Sequence, residues 1–418
     1  MVLGMLAGGP CHGQTNTTQS PYSRYGLGEL VPRGSIKSFS MGGLTQGLRD
    51  GHIINSSNPA SYTRQDTMSF ILDLGLIGGY QRFESEDTSK EFLTGAIHHV
   101  NMQFPVGRYL GMAVGFEPVS QMGYDITRYE TRPEVLSEVG RIRYRHYGVG
   151  GLSQAFLGAA WAPLDQLSIG LNAGYIFGSV NRQQEMHVPN NALYAEADFD
   201  DRMVIKGVDL ALGVQGTIPL GAPEARRELR LGATVQQAPW ANVENRYEVT
   251  YRYINQQRYL ASNELRREGS LRLPLRMNFG ALYADRRWEM GADVALQDWS
   301  NFELLGVNQG MTKGYAAHLG MQYTPDRSSQ RSYGARMRYR LGLHLEKRPI
   351  RPKDLAIYDM GLSAGLGFPY KYLGSMFHLG VRTGIIGTKD AGLAQGIYAH
   401  LLLGLSLNDI WFIRRRYQ

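Results

Sequence analysis

The sequence predicts an all-β fold, a 14-stranded antiparallel transmembrane β-barrel with an N-terminal plug. Three observations carry that expectation. First, from Thr67 to the last of the 418 residues the chain runs strand, turn, strand, turn, with apolar residues at alternate positions. Many runs reach or exceed the roughly 9–11 residues that a tilted membrane-crossing strand requires, whereas soluble strands average nearer 5–6. Second, the less apolar face of these runs mixes Gly with charged and amide residues, as a wet or filled lumen would. A sandwich would instead bury a uniformly apolar face. Third, the stretch from about Gln14 to Asp66 is rich in Gly, Ser, Asn and Pro and does not alternate. It still carries Tyr22, Tyr25, Leu27, Ile36, Phe39, Met41, Leu44, Leu48, Ile54 and Tyr62. That is too much apolar surface for a free tail, and a long irregular segment inside a compact fold reads as a lid, plug or linker.

Composition supports this frame. Hydrophobic residues make up 43% of the chain and mean hydropathy is −0.30. After the N-terminus no stretch approaches the ~18 consecutive apolar residues of a spanning helix, so a helical membrane protein is excluded. The 51 glycines and 25 tyrosines suit a barrel. The net charge of +7 is scattered through strands and turns rather than gathered on one helix or basic run, so nucleic acid is not an expected partner. The basic tail Arg414 to Arg416 reads as a solvated stop. At the other end, Met1 to Gly9 is a short apolar run followed by Pro10, Cys11 and Gly13, which reads as the remnant of a secretory signal over 1–13. The plug then spans 14–66 and the barrel 67–418. Cys11 is the only cysteine and leaves with the signal, so the mature chain has no disulfide. No cofactor is expected.

Taken in order, the strands are expected at about 67–82, 91–106, 108–129, 140–162, 166–188, 195–219, 226–254, 258–285, 287–305, 312–325, 331–348, 355–369, 374–388 and 392–412. The count is even, as bacterial single-chain barrels require. In the first strand Phe70, Leu72, Leu74 and Leu76 share one face, opposite Ile71, Asp73 and Gly75. Leu167, Ile169, Leu171 and Ala173 do the same in the fifth, opposite Ser168, Gly170 and Asn172. Gly107-Arg108, Pro163-Leu164-Asp165, Ala222-Pro223-Glu224, Asp285-Arg286 and Thr324-Pro325-Asp326 are expected to be tight periplasmic turns. The long polar segments Glu130 to Arg143, Gln183 to Val204 and Glu244 to Ser270 are expected outside the cell.

Several residues stand out against the alternation. Pro118, after Glu117 in the third strand, cannot donate a ladder hydrogen bond. It marks either a bulge near the rim or a kink that opens the wall sideways; Pro274 in the eighth strand allows the same argument. Arg336, Arg338 and Arg340 sit at period 2 in the eleventh strand and should all face the lumen, because a lipid-facing Arg at mid-bilayer costs about 2–4 kcal/mol. His378 and Arg382 should point the same way, with Asp73, Glu117, Asp209 and Asp293 as acidic partners. This lining either attracts anionic head groups or ties the wall to the plug. Leu403, Leu405, Leu407, Trp411 and Phe412 end the last strand in the manner of an interfacial girdle, and could be read by the barrel-insertion machinery. No nucleophile elbow, His-Glu-x-x-His, phosphate-binding loop or Cys cluster is present, so no enzyme is expected. His98 and His99, adjacent on a strand, should face opposite ways and share no metal.

Ser40-Met41-Gly42-Gly43, followed by Asn55 and then Asn58-Pro59-Ala60-Ser61-Tyr62 before the first strand, resembles the N-terminal hatch of the FadL-like outer-membrane barrel family. Asp293 with Gln297-Asp298-Trp299-Ser300, and Leu271 to Gly280 with Pro274, resemble strand motifs of that family. Ser20 to Gly28 and Trp411-Phe412-Ile413-Arg414 look like its Bacteroidota branch, which includes PorV-like relatives. The resemblance implies a bacterial outer-membrane location, a hatch in the lumen, and passage of hydrophobic small molecules by a lateral opening at the kink of the third strand. It leaves open the alternative, a non-transporting barrel subunit of an outer-membrane protein secretion or assembly complex, because PorV-like relatives act in that way. Outer-membrane lipid is an expected partner in both cases. A hydrophobic or lipid ligand belongs to the first reading, and other outer-membrane proteins belong to the second.

Overall fold

The computed structural model describes residues 18–65, 69–86, 88–188, 194–222, 227–252, 258–370 and 374–410. The expected signal segment 1–13, the basic tail, and Trp411 and Phe412 lie outside the described residues. The strands are β1 (Ser69–Glu84), β2 (Ser89–Pro105), β3 (Leu110–Tyr129), β4 (Arg143–Leu164), β5 (Leu167–His187), β6 (Glu196–Leu220) and β7 (Arg227–Arg252). They continue as β8 (Arg258–Arg272 and Arg276–Ala284), β9 (Trp288–Asp298), β10 (Lys313–Tyr323), β11 (Arg338–Lys347), β12 (Tyr358–Pro369), β13 (Met376–Ile386) and β14 (Gln395–Ile410). Each pairs antiparallel with its sequence neighbour, and β14 closes on β1 from Gln395↔Glu84 to Ile410↔Ser69. The result is a closed barrel of fourteen strands.

The period of two decides which residues meet which solvent. Leu76, Ile169, Leu171, Leu319, Leu343 and Leu401 are exposed on the outer face, while Asp73, Ser168, Asn172, His344 and Leu402 are buried on the inner one. On the outside Trp288 and Tyr323 lie with ring centroids 4.5 Å apart, where aromatic side chains suit a membrane interface. Among the described residues no helix is long and apolar enough to cross a membrane.

Three details depart from the sequence expectation, the first being that β9 ends at Asp298 rather than near 305. Pro163 and Leu164 belong to β4 itself, so that turn is tighter than expected. The connection after β10 is longer: β11 begins only at Arg338, because Ser332 caps a helical turn, Tyr333–Arg336, by accepting from the Ala335 N–H at 3.3 Å. Local capping chemistry overrides the alternating pattern there.

Candidate functional site: a plugged lumen and a wall seam

The plug is built by short polar caps. Ser20 accepts from the Tyr22 N–H at the start of a 3-10 turn, Pro21–Arg24, and Ser35 accepts from the Ser38 N–H at the start of the helix Ile36–Phe39. Asn58 caps a second 3-10 turn, Pro59–Arg64, by accepting from the Ala60 N–H at 3.2 Å. Pro59 suits the first position because its missing N–H would be unpaired there anyway. Asn55 donates to the Thr45 and Leu48 carbonyls at 2.6 and 3.0 Å, folding the two halves of the plug together. Gly42 has φ +73°, and a Cβ there would lie 2.4 Å from the Leu319 carbonyl oxygen. Only glycine allows both that conformation and that approach. The wall reciprocates at Gly342, where a Cβ would meet the Gly42 nitrogen at 1.9 Å.

The plug is bonded to the wall all round. Asp293 of β9 accepts from the backbone N–H groups of Thr45 and Gln46 at 2.6 and 2.8 Å. Gln215 of β6 donates to the Gln46 and Leu48 carbonyls. On β5, Asn172 receives the Tyr62 hydroxyl at 3.0 Å and donates to the Ser56 carbonyl at 2.9 Å. Ser363 of β12 accepts from the Gly42 N–H at 2.9 Å. At the short-turn mouth the buried Lys37 ammonium lies 2.9 Å from both Asp50 and Glu289, and Arg338 reaches Asp50 at 2.9 Å. Burial alone would push the Asp50 carboxyl up, but Lys37 and Arg338 outweigh it and hold the group well below the usual carboxylate range. Burial pushes the Tyr62 hydroxyl up, keeping it a neutral donor. Breaking one partner of such a buried pair costs about 3–5 kcal/mol.

The wall has one long unpaired seam. The β2–β3 ladder runs from Pro105↔Gly111 only to Val100↔Phe116. Glu117 then turns inward, accepting from Asn101 at 2.8 Å, and Pro118 follows with a register shift against β4 between Pro118 and Ser120. Beyond that point the plug takes the place of β2. Glu29–Leu30 pairs with Gln121 and Ser120, the Val31 N–H donates to the Val119 carbonyl at 3.0 Å, and the Ser20 N–H donates to the Gly123 carbonyl at 2.8 Å. Behind the seam lies a cavity of about 150 Å³ bounded by Thr94, Ile97, Pro118, Gln121 and Phe39. A second, of about 120 Å³, lies between the plug and β8 to β11. Leu30 to Pro32, Phe39 and Arg382 border both. The β7–β8 ladder is interrupted as well, between Gln236↔Arg276 and Asn242↔Ser270, with Pro274 in the break.

A family model described as BamG matches residues 1–418. The chain belongs to the BamG family. No curated relative matches it by sequence. Solved structures of similar shape include the Pseudomonas putida toluene transporter TodX, with a TM-score of 0.61 and 14% identity over 91% of this chain and 99% of that one. The Ralstonia pickettii toluene transporter TbuX gives 0.59 and 12%, covering 91% and 99%. A Pseudomonas aeruginosa FadL homologue gives 0.59 and 11%, covering 92% and 100%. At these identities the likeness establishes a FadL-type fold.

In this BamG-family barrel Asp73, Glu117, Asp209, Asp293, Arg340 and His378 are buried on the inner face, and Arg338 joins the mouth cluster. They form separate knots rather than one lining. Asp209 pairs with Arg33 of the plug at 2.9 Å. Arg340 contacts His378 at 2.9 Å, His378 meets Ser406 at 3.1 Å, and Ser406 donates to Asp73 at 2.7 Å. Arg336 is the exception: it lies in the helical turn before β11, over the Tyr333 ring at 5.3 Å, so the expected three-residue row on one strand is two residues long. The two histidines also depart from expectation. A register shift between Gly75 and Leu76 puts the extra residue His98 on the same side as His99, both buried, with Nδ1 atoms 3.0 Å apart. Among the described residues no group of three or more potential ligands could hold a metal ion. Leu403, Leu405 and Leu407 hold the outward positions of β14. Sequence reasoning missed Lys37, Arg33, Gln215 and Asn172. Their polar character on an apolar plug segment or an alternating strand was the available signal.

Proposed function

We propose that this chain spans the bacterial outer membrane as a plugged barrel and serves as a non-transporting subunit of a complex that assembles or secretes outer-membrane proteins. The observation that carries this reading is the filled lumen. The plug is bonded to strands around the wall, and the two cavities between them, behind the seam and beside β8 to β11, are about 150 and 120 Å³. The larger space of about 590 Å³ lies at the Pro274 break, against Leu273, Leu275 and Tyr315. Small-molecule sites usually enclose about 300–1,000 Å³, more than either of the two between plug and wall. The family name, BamG, points to barrel assembly, and the Ser20 to Gly28 motif fits the PorV-like branch.

In this reading Met41 to Gly43 and Asn55 to Ala60 hold the plug, Asp73, Asp209, Asp293, Arg338, Arg340 and His378 anchor it, and Leu403 to Leu407 begin the insertion signal. Other outer-membrane proteins and membrane lipid are the partners. A second reading is favoured by the seam: Glu117 and Pro118 would frame a lateral exit for a hydrophobic molecule, as the toluene-transporter likeness of the fold suggests. To separate the two, the native protein is extracted in mild detergent and its companions and bound lipids are identified by mass spectrometry. Stoichiometric protein partners are the expected result. A barrel that emerges alone with lipid in fixed proportion would reject the subunit reading.

A further inference from the structure

We propose that the cavity between the plug and β8 to β11 is an oxyanion site for a phosphate-like group, with Arg276 and Arg382 in its wall. The proposal stands whichever of the two functional readings holds. Three guanidinium groups line this space, Arg33, Arg276 and Arg382, together with Asp293, Glu346 and His318. Most of these groups are already engaged. Arg33 is balanced by Asp209 at 2.9 Å. Asp293 spends one carboxylate oxygen on the plug N–H groups of Thr45 and Gln46. Glu346 lies 3.7 Å from Arg348, and His318 faces the Gly42 carbonyl at 2.7 Å.

Among the described residues neither Arg276 nor Arg382 forms a close ion pair, although Asp209 and Glu346 attract Arg276, and Arg382 attracts Asp359, at longer range. The guanidinium carbon of Arg276 lies 5.8 Å from the Trp299 centroid, and that of Arg382 lies 5.9 Å from the Phe39 centroid. The Nε of Arg382 is buried without a hydrogen-bond acceptor. Two half-buried cations without a close ion pair on one cavity are stabilised when an anion joins them. The planar fork of Arg suits the paired oxygens of phosphate or carboxylate. A volume of about 120 Å³ admits such a group with a water or two. The shared chemistry is a phosphate oxyanion, which can come from solution or from a lipid head group.

The test is thermal unfolding of the full chain. In detergent, inorganic phosphate is titrated against chloride at equal ionic strength. In phosphatidylcholine liposomes, preparations with and without phosphatidic acid are compared. A ligand that binds the native state raises Tm by mass action. The expected result is a saturable rise in at least one arm, with the half-saturating concentration shifted roughly tenfold or more in both Arg276→Gln and Arg382→Gln, the scale of one lost charge-assisted bond. A rise with inorganic phosphate identifies the free ion, and a rise with phosphatidic acid alone identifies the head group. Folding of each variant is verified by heat-modifiable gel mobility. Should one variant fail to fold, the other together with wild type suffices. No rise beyond chloride in either arm, or an undiminished rise in the variants, overturns the site.

Discussion

Single side chains decide how firmly the plug is held, and two of them give separable predictions. Asp293→Ala leaves the buried N–H groups of Thr45 and Gln46 without an acceptor. An unsatisfied buried donor costs about 1–3 kcal/mol, so a lower urea midpoint is expected, with Asp293→Asn recovering part of the loss. A wild-type midpoint in Asp293→Ala would show that the contact contributes nothing. Asp50 acts through pH. Its folded carboxyl titrates well below its unfolded one, so the stability it adds is complete above about pH 4 and is lost as pH falls toward the folded value. Thermal unfolding followed downward from about pH 6 should therefore fall less steeply in Asp50→Asn than in wild type. Parallel curves would remove Asp50 from the acid response.

At the scale of elements, the strands were legible because a half-buried strand must alternate, and Phe70 to Leu76 or Leu167 to Ala173 do so without interruption. The plug was legible for the opposite reason, as apolar residues without a period. Pairings across the lumen were not legible. Lys37 meets Glu289 from 252 residues away, and nothing local in either segment names the other. The bulge at His98 was hidden too, since one added residue reverses a face without leaving a compositional trace. Pro118 announced an interruption, and the ladder end at Val100↔Phe116 gives it an extent. The β2 segment from Glu91 to Ile97 is bonded along one edge only, so its amides should open at lower free energy than those of β5. Hydrogen exchange in lipid nanodiscs should find them exchanging roughly tenfold faster or more. Equal protection would mean that the seam is closed in the membrane.

For the whole molecule, the question is whether the plug and barrel act as one body or as a gate in a frame. The contacts between them are distributed: β5, β6, β9, β11 and β12 each bond the plug through buried polar groups, and Glu29–Leu30 completes the wall at β3. Opening a path would break several of these at once, each worth about 0.5–1.5 kcal/mol when neutral and more when charged. The charged mouth formed by Lys37, Asp50, Glu289 and Arg338 adds the largest single barrier. A barrel held shut in this way should not pass ions. In planar bilayers the intact protein is therefore expected to insert without discrete conductance steps, and Asp50→Asn, which loosens only the mouth, should remain silent because the Asp293 and Asn172 contacts lie deeper. Regular steps from the wild-type protein would mean that the plug leaves a continuous aqueous path. The filled lumen would then no longer argue against transport, and the seam at Pro118 would become the better guide to what this barrel does.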